Sequence, residues 1–128
     1  MTKRGFTIVE LVVVILFATL LLVFAYLQKS NLDAMARDDQ RKTAINAMYY
    51  ALEEGYFAQN GYYPEEISEE NLTVMDPQLF TDPAGINLGA EGCSYHYEAA
   101  NCENGKCKEY LLRADLEKED DYVKKNRS

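Results

Sequence analysis

From Phe6 to Leu27 the chain is apolar at almost every position, a block of 22 residues in which Glu10 carries the one formal charge. At about 1.5 Å rise per residue such a helix matches the roughly 30 Å hydrocarbon core of a bilayer, which predicts a membrane-crossing helix over residues 6–27. Lys3 and Arg4 precede it with no acid beside them. The positive-inside bias then keeps residues 1–5 in the cytoplasm and exports the chain beyond Leu27. Past Leu27 there is no proline before Pro64, and the interval is rich in Ala, Leu, Met, Gln, Glu, Lys and Arg, so one long helix is predicted to continue over 28–60. Its middle, Arg37 to Thr43, is wholly polar. There Arg37 and Arg41 repel at i,i+4 while Asp38 and Lys42 attract, and no continuous apolar stripe joins the two halves. Ile45, Met48, Leu52 and Tyr56 then recur on one face, which requires something to pack against. Asn60-Gly61 reads as a C-terminal cap, and Pro64 prevents the helix from resuming.

Residues 61–128 form the predicted head. Its first part, 61–92, reads as a long loop with turns at Asp76-Pro77 and Asp82-Pro83-Ala84-Gly85 and a weak signal for a short helix from Ser68 to Leu72. From Cys93 the period changes to two: Tyr95, Tyr97 and Ala99 alternate with Ser94, His96 and Glu98. Asn104-Gly105 is the dipeptide that type I′ hairpins prefer, because both central residues need positive φ. A hairpin over 93–116 centred there sets Glu103 against Lys106, Cys102 against Cys107, Ala99 against Tyr110, Tyr97 against Leu112 and Tyr95 against Ala114. The last six residues then share a face, with His96, Glu98, Leu111 and Arg113 on the other, the one-sided burial expected of a sheet on a helix. Cys102 and Cys107 would lie as a non-hydrogen-bonded pair at about 4.5 Å between Cα atoms, close enough for a disulfide. Cys93 would face Leu116 as a buried, inert thiol. Residues 117–128 read as a polar tail.

Charge narrows the function. With 13 Lys and Arg against 21 Asp and Glu the net charge is −8, and such a surface repels phosphate backbones, so no direct nucleic-acid binding is expected. Lys124, Lys125 and Arg127 form one basic cluster, read as a solvated tail. All three cysteines follow the apolar block, where an oxidising compartment permits a disulfide. No enzyme is indicated: the lone His96 falls on the polar hairpin face, and neither Ser nor Cys has an identifiable base. Asp115, Glu117, Asp120 and Asp121 carry hard oxygen donors, but a line of acids does not show convergence, so neither metal nor cofactor is expected. Asn71-Leu72-Thr73 matches a glycosylation sequon too short to carry weight. The tyrosines Tyr49, Tyr56, Tyr95, Tyr97 and Tyr110 are accounted for as core and Tyr26 as an interfacial anchor.

Gly5-Phe6-Thr7-Ile8-Val9-Glu10-Leu11-Val12-Val13-Val14-Ile15 resembles the N-terminus of type IV pilins and of the pseudopilins of type II secretion. The resemblance implies cleavage between Gly5 and Phe6 by a prepilin peptidase, N-methylation of Phe6, and Glu10 as the acid retained inside an apolar helix. Ala44-Ile45, Ala51-Leu52-Glu53, Tyr56-Phe57 and Asn60-Gly61-Tyr62-Tyr63-Pro64 are similar to the helix end and first loop of many such subunits, and Asp82-Pro83 with the closing hairpin is similar to their later part. Where the family often has a proline, near Leu27, and a glycine in mid-segment, this chain has apolar residues or Thr19, so the residues connected with helix stretching on assembly are absent.

The implied fold is α+β, a type IV pilin: leader 1–5, helix core 6–27, helix continuation 28–60 packed on the head, and head 61–128. The implied function is that of a pilus subunit for adhesion, motility or DNA uptake. Its partners would be like subunits, the peptidase, an assembly ATPase with its inner-membrane platform, and the bilayer before assembly. A carboxylate in the bilayer costs about 3 kcal/mol on insertion scales, so Glu10 either finds a partner or reaches the interface. The Phe6 amine of its own chain lies about one helical turn away, and the Phe6 amine of a neighbour would neutralise it equally well and fix the axial step of an assembly. Two other readings are a secretion pseudopilin and a membrane-anchored binding module that never polymerises. An ordinary secretory signal cut near Ala34-Met35-Ala36 fits less well, because the apolar run is far longer than such signals carry.

Overall fold

The computed structural model describes residues 5–127, so Met1, Thr2, Lys3 and Arg4, with the basic flank expected there, lie outside the described residues. The chain divides into a unit ending at Ala34 and a unit beginning at Met35. Helix α1 (Ile8–Tyr50) passes into a π-helical segment (Ala51–Tyr56) and then α2 (Phe57–Asn60) without a break. It stops where the glycine signal lies: Gly61 takes φ 78°, open to a residue without Cβ, and returns its N–H to Phe57 C=O at 2.8 Å. The polar interval 37–43 is helical throughout.

In the second unit β3 (Lys106–Ala114) is the centre of a four-stranded antiparallel sheet. On one side it pairs with β2 (Tyr95–Glu103); on the other lie β1 (Tyr63–Pro64) and β4 (Tyr122–Lys125), end to end along β3. The α+β class is thus observed. The strand β4 corrects the expectation of a polar tail over 117–128. Tyr122-Val123-Lys124-Lys125 is too short and too polar to stand out by alternation, and it is held by an edge of β3 that the sequence pattern could not show to be vacant.

The hairpin register is the expected one, from Tyr95↔Ala114 to Glu103↔Lys106. Asn104 and Gly105 take φ 54° and 78°, as a type I′ turn requires. The regular strands span Tyr95–Ala114 rather than 93–116. One departure lies inside: Asn101 also has positive φ, 54°, and is not paired with Lys108. The break shifts the alternation by one residue, so Cys107 and Tyr110, three apart, are both buried while Lys108 and Glu109 are exposed. Cys102 and Cys107 form a disulfide with Cα atoms 3.9 Å apart. Cys93 is free and buried; its Sγ donates to Ile86 C=O and accepts from Tyr95 N–H, both at 3.4 Å.

The inner face of the sheet packs Tyr95, Tyr110, Leu112 and Ala114 against Ala44, Ile45, Met48 and Leu52 of the helix. Tyr49, Tyr56 and Tyr97 are partly buried against this core. Ala51, Leu52 and Glu53 are buried in succession in the π-helical segment, and the Glu53 carboxylate gathers the Tyr63 hydroxyl, the Tyr110 hydroxyl and the Arg127 N–H at 2.9 Å each. No helix forms over 68–72; Asn71 Oδ1 accepts from Ser68 N–H at 2.8 Å and holds a turn. The short helix is instead a 3-10 turn, Pro77–Phe80, started by Asp76 accepting from Gln78 N–H at 3.0 Å with Pro77 in the first position, so Asp76-Pro77 was a helix-start signal rather than a simple turn.

The segment after β3 is tied to the helix by charge. Asp38, 2% exposed, accepts from the N–H groups of Glu117 and Lys118 at 2.8 and 2.9 Å and from Arg41 at 2.9 Å. Glu117 in turn accepts from Arg37 and Arg41, and Lys42 reaches Glu119. The pairing expected within the helix, Asp38 with Lys42, is therefore replaced, and Arg37 and Arg41 converge on one carboxylate instead of simply repelling.

Burial alone would raise the Asp38 pKa, but the two N–H donors and Arg41 outweigh it and hold it below the ordinary value. Arg37 and then Arg41 hold Glu117 at about 2, against 4.5. Both folded-state values are depressed, so the stability they contribute is present above the unfolded pKa values and is lost as pH falls through the folded ones. Thermal unfolding followed by circular dichroism should therefore weaken between pH 4.5 and about 2, with a shallower decline for Glu117→Gln. Asp38→Ala, which leaves Arg41 buried beside an empty position, should cost about 3–5 kcal/mol at neutral pH. Non-reducing peptide mapping should recover Cys102 linked to Cys107, and alkylation of the native protein should spare Cys93, whose thiol burial pushes away from the reactive thiolate.

Candidate functional site

The chemistry that sets this chain apart lies at the start of α1. Thr7 occupies the N-cap position. Its Oγ1 accepts from Glu10 N–H at 3.2 Å, and Glu10 Oε2 accepts in return from Thr7 N–H at 3.5 Å. This is a capping box, in which a hydroxyl residue and a carboxylate three positions later satisfy each other's unpaired N–H groups. The signal stands in the sequence as Thr7-x-x-Glu10, a spacing that the cost of the charge alone does not reveal. The position is also favourable electrostatically, since the first turn of a helix carries partial positive charge. Glu10 thus has a local role besides interfacial solvation or pairing with an amine; among the described residues it makes no ion pair.

Gly5 and Phe6 precede the cap. Phe6 is 77% exposed, and a Cβ placed on Gly5 would meet no atom within 4 Å. From Ile8 to Leu27 every side chain is exposed, and the most apolar stretch is 0% buried within the chain. The helix is long and apolar enough to cross a membrane. Thr19, the one Ser or Thr between Ile8 and Leu27, donates to Ile15 C=O at 2.8 Å, so its hydroxyl is satisfied within the helix.

The other candidate residues are occupied within the head. Asp115 accepts from His96 at 2.8 Å and lies near Arg113, Asp121 also meets Arg113, and Glu117 is held by two arginines. Those acids are spent on neighbouring cations rather than turned toward a common centre, and among the described residues no cluster of His, Cys, Asp or Glu has metal-holding geometry. The basic cluster is not a tail, since Lys124 and Lys125 lie in β4, although Lys125 and Arg127 are exposed. Lys124 Nζ lies over the rings of Tyr49 and Tyr122, and the Arg127 guanidinium lies over Tyr49 at 5.2 Å while donating to its hydroxyl. The Asn71 amide is engaged with the turn before it.

Compared with protein-family models, with curated proteins and with solved structures, the chain finds no match in any of the three.

Proposed function

We propose that this chain is the structural subunit of a type IV pilus, a pilin that polymerises through its N-terminal helix. The observation that carries the reading is the fully exposed apolar run of α1 with a single carboxylate in its first turn. Twenty residues of exposed hydrocarbon require a cover, because apolar surface left in water costs about 25 cal/mol per Å². Lipid covers it while the subunit waits in the membrane, and like helices cover it once subunits are bundled, with the acidic heads outside. In the waiting state the N-terminus is cytoplasmic and the head is exported. A prepilin peptidase removes residues 1–5 and methylates Phe6; an assembly ATPase and its inner-membrane platform then drive extraction. Catalysis, a metal and a cofactor have no part in this reading.

Glu10 is the selective element. Its bond to the Thr7 N–H is long, 3.5 Å, so the carboxylate can exchange that partner for the Phe6 amine of an adjacent subunit. Among neighbours, only one at a single axial step brings its amine to Glu10 in place of the chain's own, and that pairing fixes the register of assembly.

Mass spectrometry of the purified protein should find a mature start at Phe6. Gly5→Ala should be processed and a bulky replacement should not, because the peptidase must approach the backbone closely; a start at Asn31, Asp33 or after Ala36 would sink the reading. For Glu10→Gln the capping box is an asset, since glutamine serves at that position and its carbonyl still accepts from Thr7 N–H. The substitution removes the charge while retaining the cap. Sheared filament relative to membrane-retained subunit should fall on the order of tenfold or more, the loss expected when a charged hydrogen bond is removed, with leader processing intact. Normal filament yield would remove the charge-pairing mechanism.

A further inference from the structure

Strand β2 is the open edge of the sheet: among the described residues it pairs with β3 alone. In an antiparallel ladder alternate residues turn their backbone groups toward the partner strand and away from it. Asp115 N–H donates to Ser94 C=O at 2.9 Å, which sets the parity. The Ser94 C=O, His96 and Glu98 face β3, while Tyr95, Tyr97 and Ala99 turn outward; Ser94 N–H, just before the strand, donates instead to Asp82 Oδ2 at 2.9 Å. Two other bonds agree. Tyr95 N–H is met from the outer side by Cys93 Sγ, and Tyr110 N–H, opposite Ala99, points away from β2 to Asn126 Oδ1 at 3.3 Å. Tyr97 and Ala99 therefore offer N–H and C=O groups that no strand among the described residues claims.

Beside this edge runs a groove of 580 Å³ between residues 65–68, residues 88–90 and the strand. Ile67, Leu88 and Tyr97 give it apolar lining, and Glu65, Glu66 and Glu98 stand exposed along it. None of the three acids has an ion-pair partner among the described residues, and the one side chain there able to carry positive charge, His96, is bonded to Asp115. The asymmetry selects the occupant. A second copy of β2 would bring Glu98 and Glu103 against the same acids, and like charges across a strand pair are destabilising.

We propose that the β2 edge and its groove bind an extended segment of another protein, added as a fifth strand and carrying Lys or Arg at alternate positions. Its backbone bonds to Tyr97 and Ala99. Its basic side chains meet Glu65, Glu66 and Glu98, and its apolar ones lie over Ile67 and Leu88. This is recognition by strand addition, in which main-chain bonds supply affinity and alternate side chains supply selectivity. It does not depend on whether the chain forms filaments.

The test uses the full chain in zwitterionic micelles, isotope-labelled for NMR, and three probes: a short peptide alternating lysine and valine, its glutamate counterpart, and the lysine peptide N-methylated at every valine. The lysine peptide should bind saturably, with amide shifts concentrated at Tyr97, Ala99 and Gly89, while the glutamate peptide should not bind. N-methylation should abolish the binding because it removes the donors of an added strand without changing charge. The triple variant Glu65→Gln, Glu66→Gln, Glu98→Gln, three exposed changes, should weaken the lysine peptide roughly tenfold, the sum of three exposed charge pairs. The proposal is overturned if the methylated peptide binds as tightly as the unmodified one, if the shifts scatter over the acidic surface instead of following β2, or if β2 proves to associate with its own copy.

Discussion

The second unit depends on one seam, where the chain after β3 lies along the helix and is pinned to it at three levels. Asp38 takes the N–H groups of Glu117 and Lys118, Asn46 takes the Tyr122 hydroxyl, and Glu53 takes the Arg127 N–H. Asp38, Asn46 and Glu53 are separated by about two helical turns each, so they fall on one stripe. Each anchors a point farther along the C-terminal segment. The strand β4 is what this pinning leaves between its lower and upper anchors, and it closes the half of the β3 edge that β1 does not reach. Without the seam the unit would be a hairpin on a helix, a structure with few ways to hold its register.

Burying charge is an expensive way to make such a seam, and its composition shows what it accomplishes. Asp38 and Arg41 are 2% and 6% exposed, and Arg41 Nε is buried with no hydrogen-bond partner among the described residues. An ion pair taken from water seldom adds more stability than an apolar pair of the same volume. It does penalise every arrangement in which the charges are separated. The Asp38 carboxylate accepts two successive backbone N–H groups, a geometry that a segment shifted by one residue cannot reproduce. The Glu53 node has the same character: the two tyrosines it gathers come from adjacent strands, Tyr63 from β1 and Tyr110 from β3, so one carboxylate aligns helix, sheet and C-terminus together.

What could be read from the sequence followed from local physics. The apolar block, the Gly61 stop, the Asn104-Gly105 turn and the hairpin register each rest on a short-range rule, and the register identified the Cys102–Cys107 bond. The seam was illegible for the opposite reason. Its charges are 76 to 80 residues apart in sequence, and the run from Arg37 to Lys42 satisfied a helix rule as a solvated face. A basic and acidic run answering the run from Asp115 to Asp121 was a hint, but complementarity between distant runs has no register until a fold supplies one. The left-handed Asn101 was similarly hidden. An asparagine is among the few residues that adopt positive φ, yet nothing in a regular alternation announces where a strand will break it. At the site, Thr7 was legible and overlooked, whereas the burial of Glu53 needed the π-helical turn to be known.

The capping box also changes how the energy of Glu10 is divided. A carboxylate at the centre of a membrane helix costs about 2.5–3.5 kcal/mol on insertion scales. Near the N-terminus the helix dipole returns roughly 0.3–1 kcal/mol and a cap about 1 kcal/mol. In the proposed membrane-bound state the chain would therefore tolerate Glu10 without being satisfied by it, because the Thr7 bond is long and no cation among the described residues lies beside it. In the proposed filament that remaining cost becomes selective: a neighbour offering an amine at the right height gains the difference, and one out of register gains nothing. On the proposed reading, a fully satisfied Glu10 would leave assembly no preference among axial positions, and an uncapped one would make a membrane-held subunit harder to keep in place.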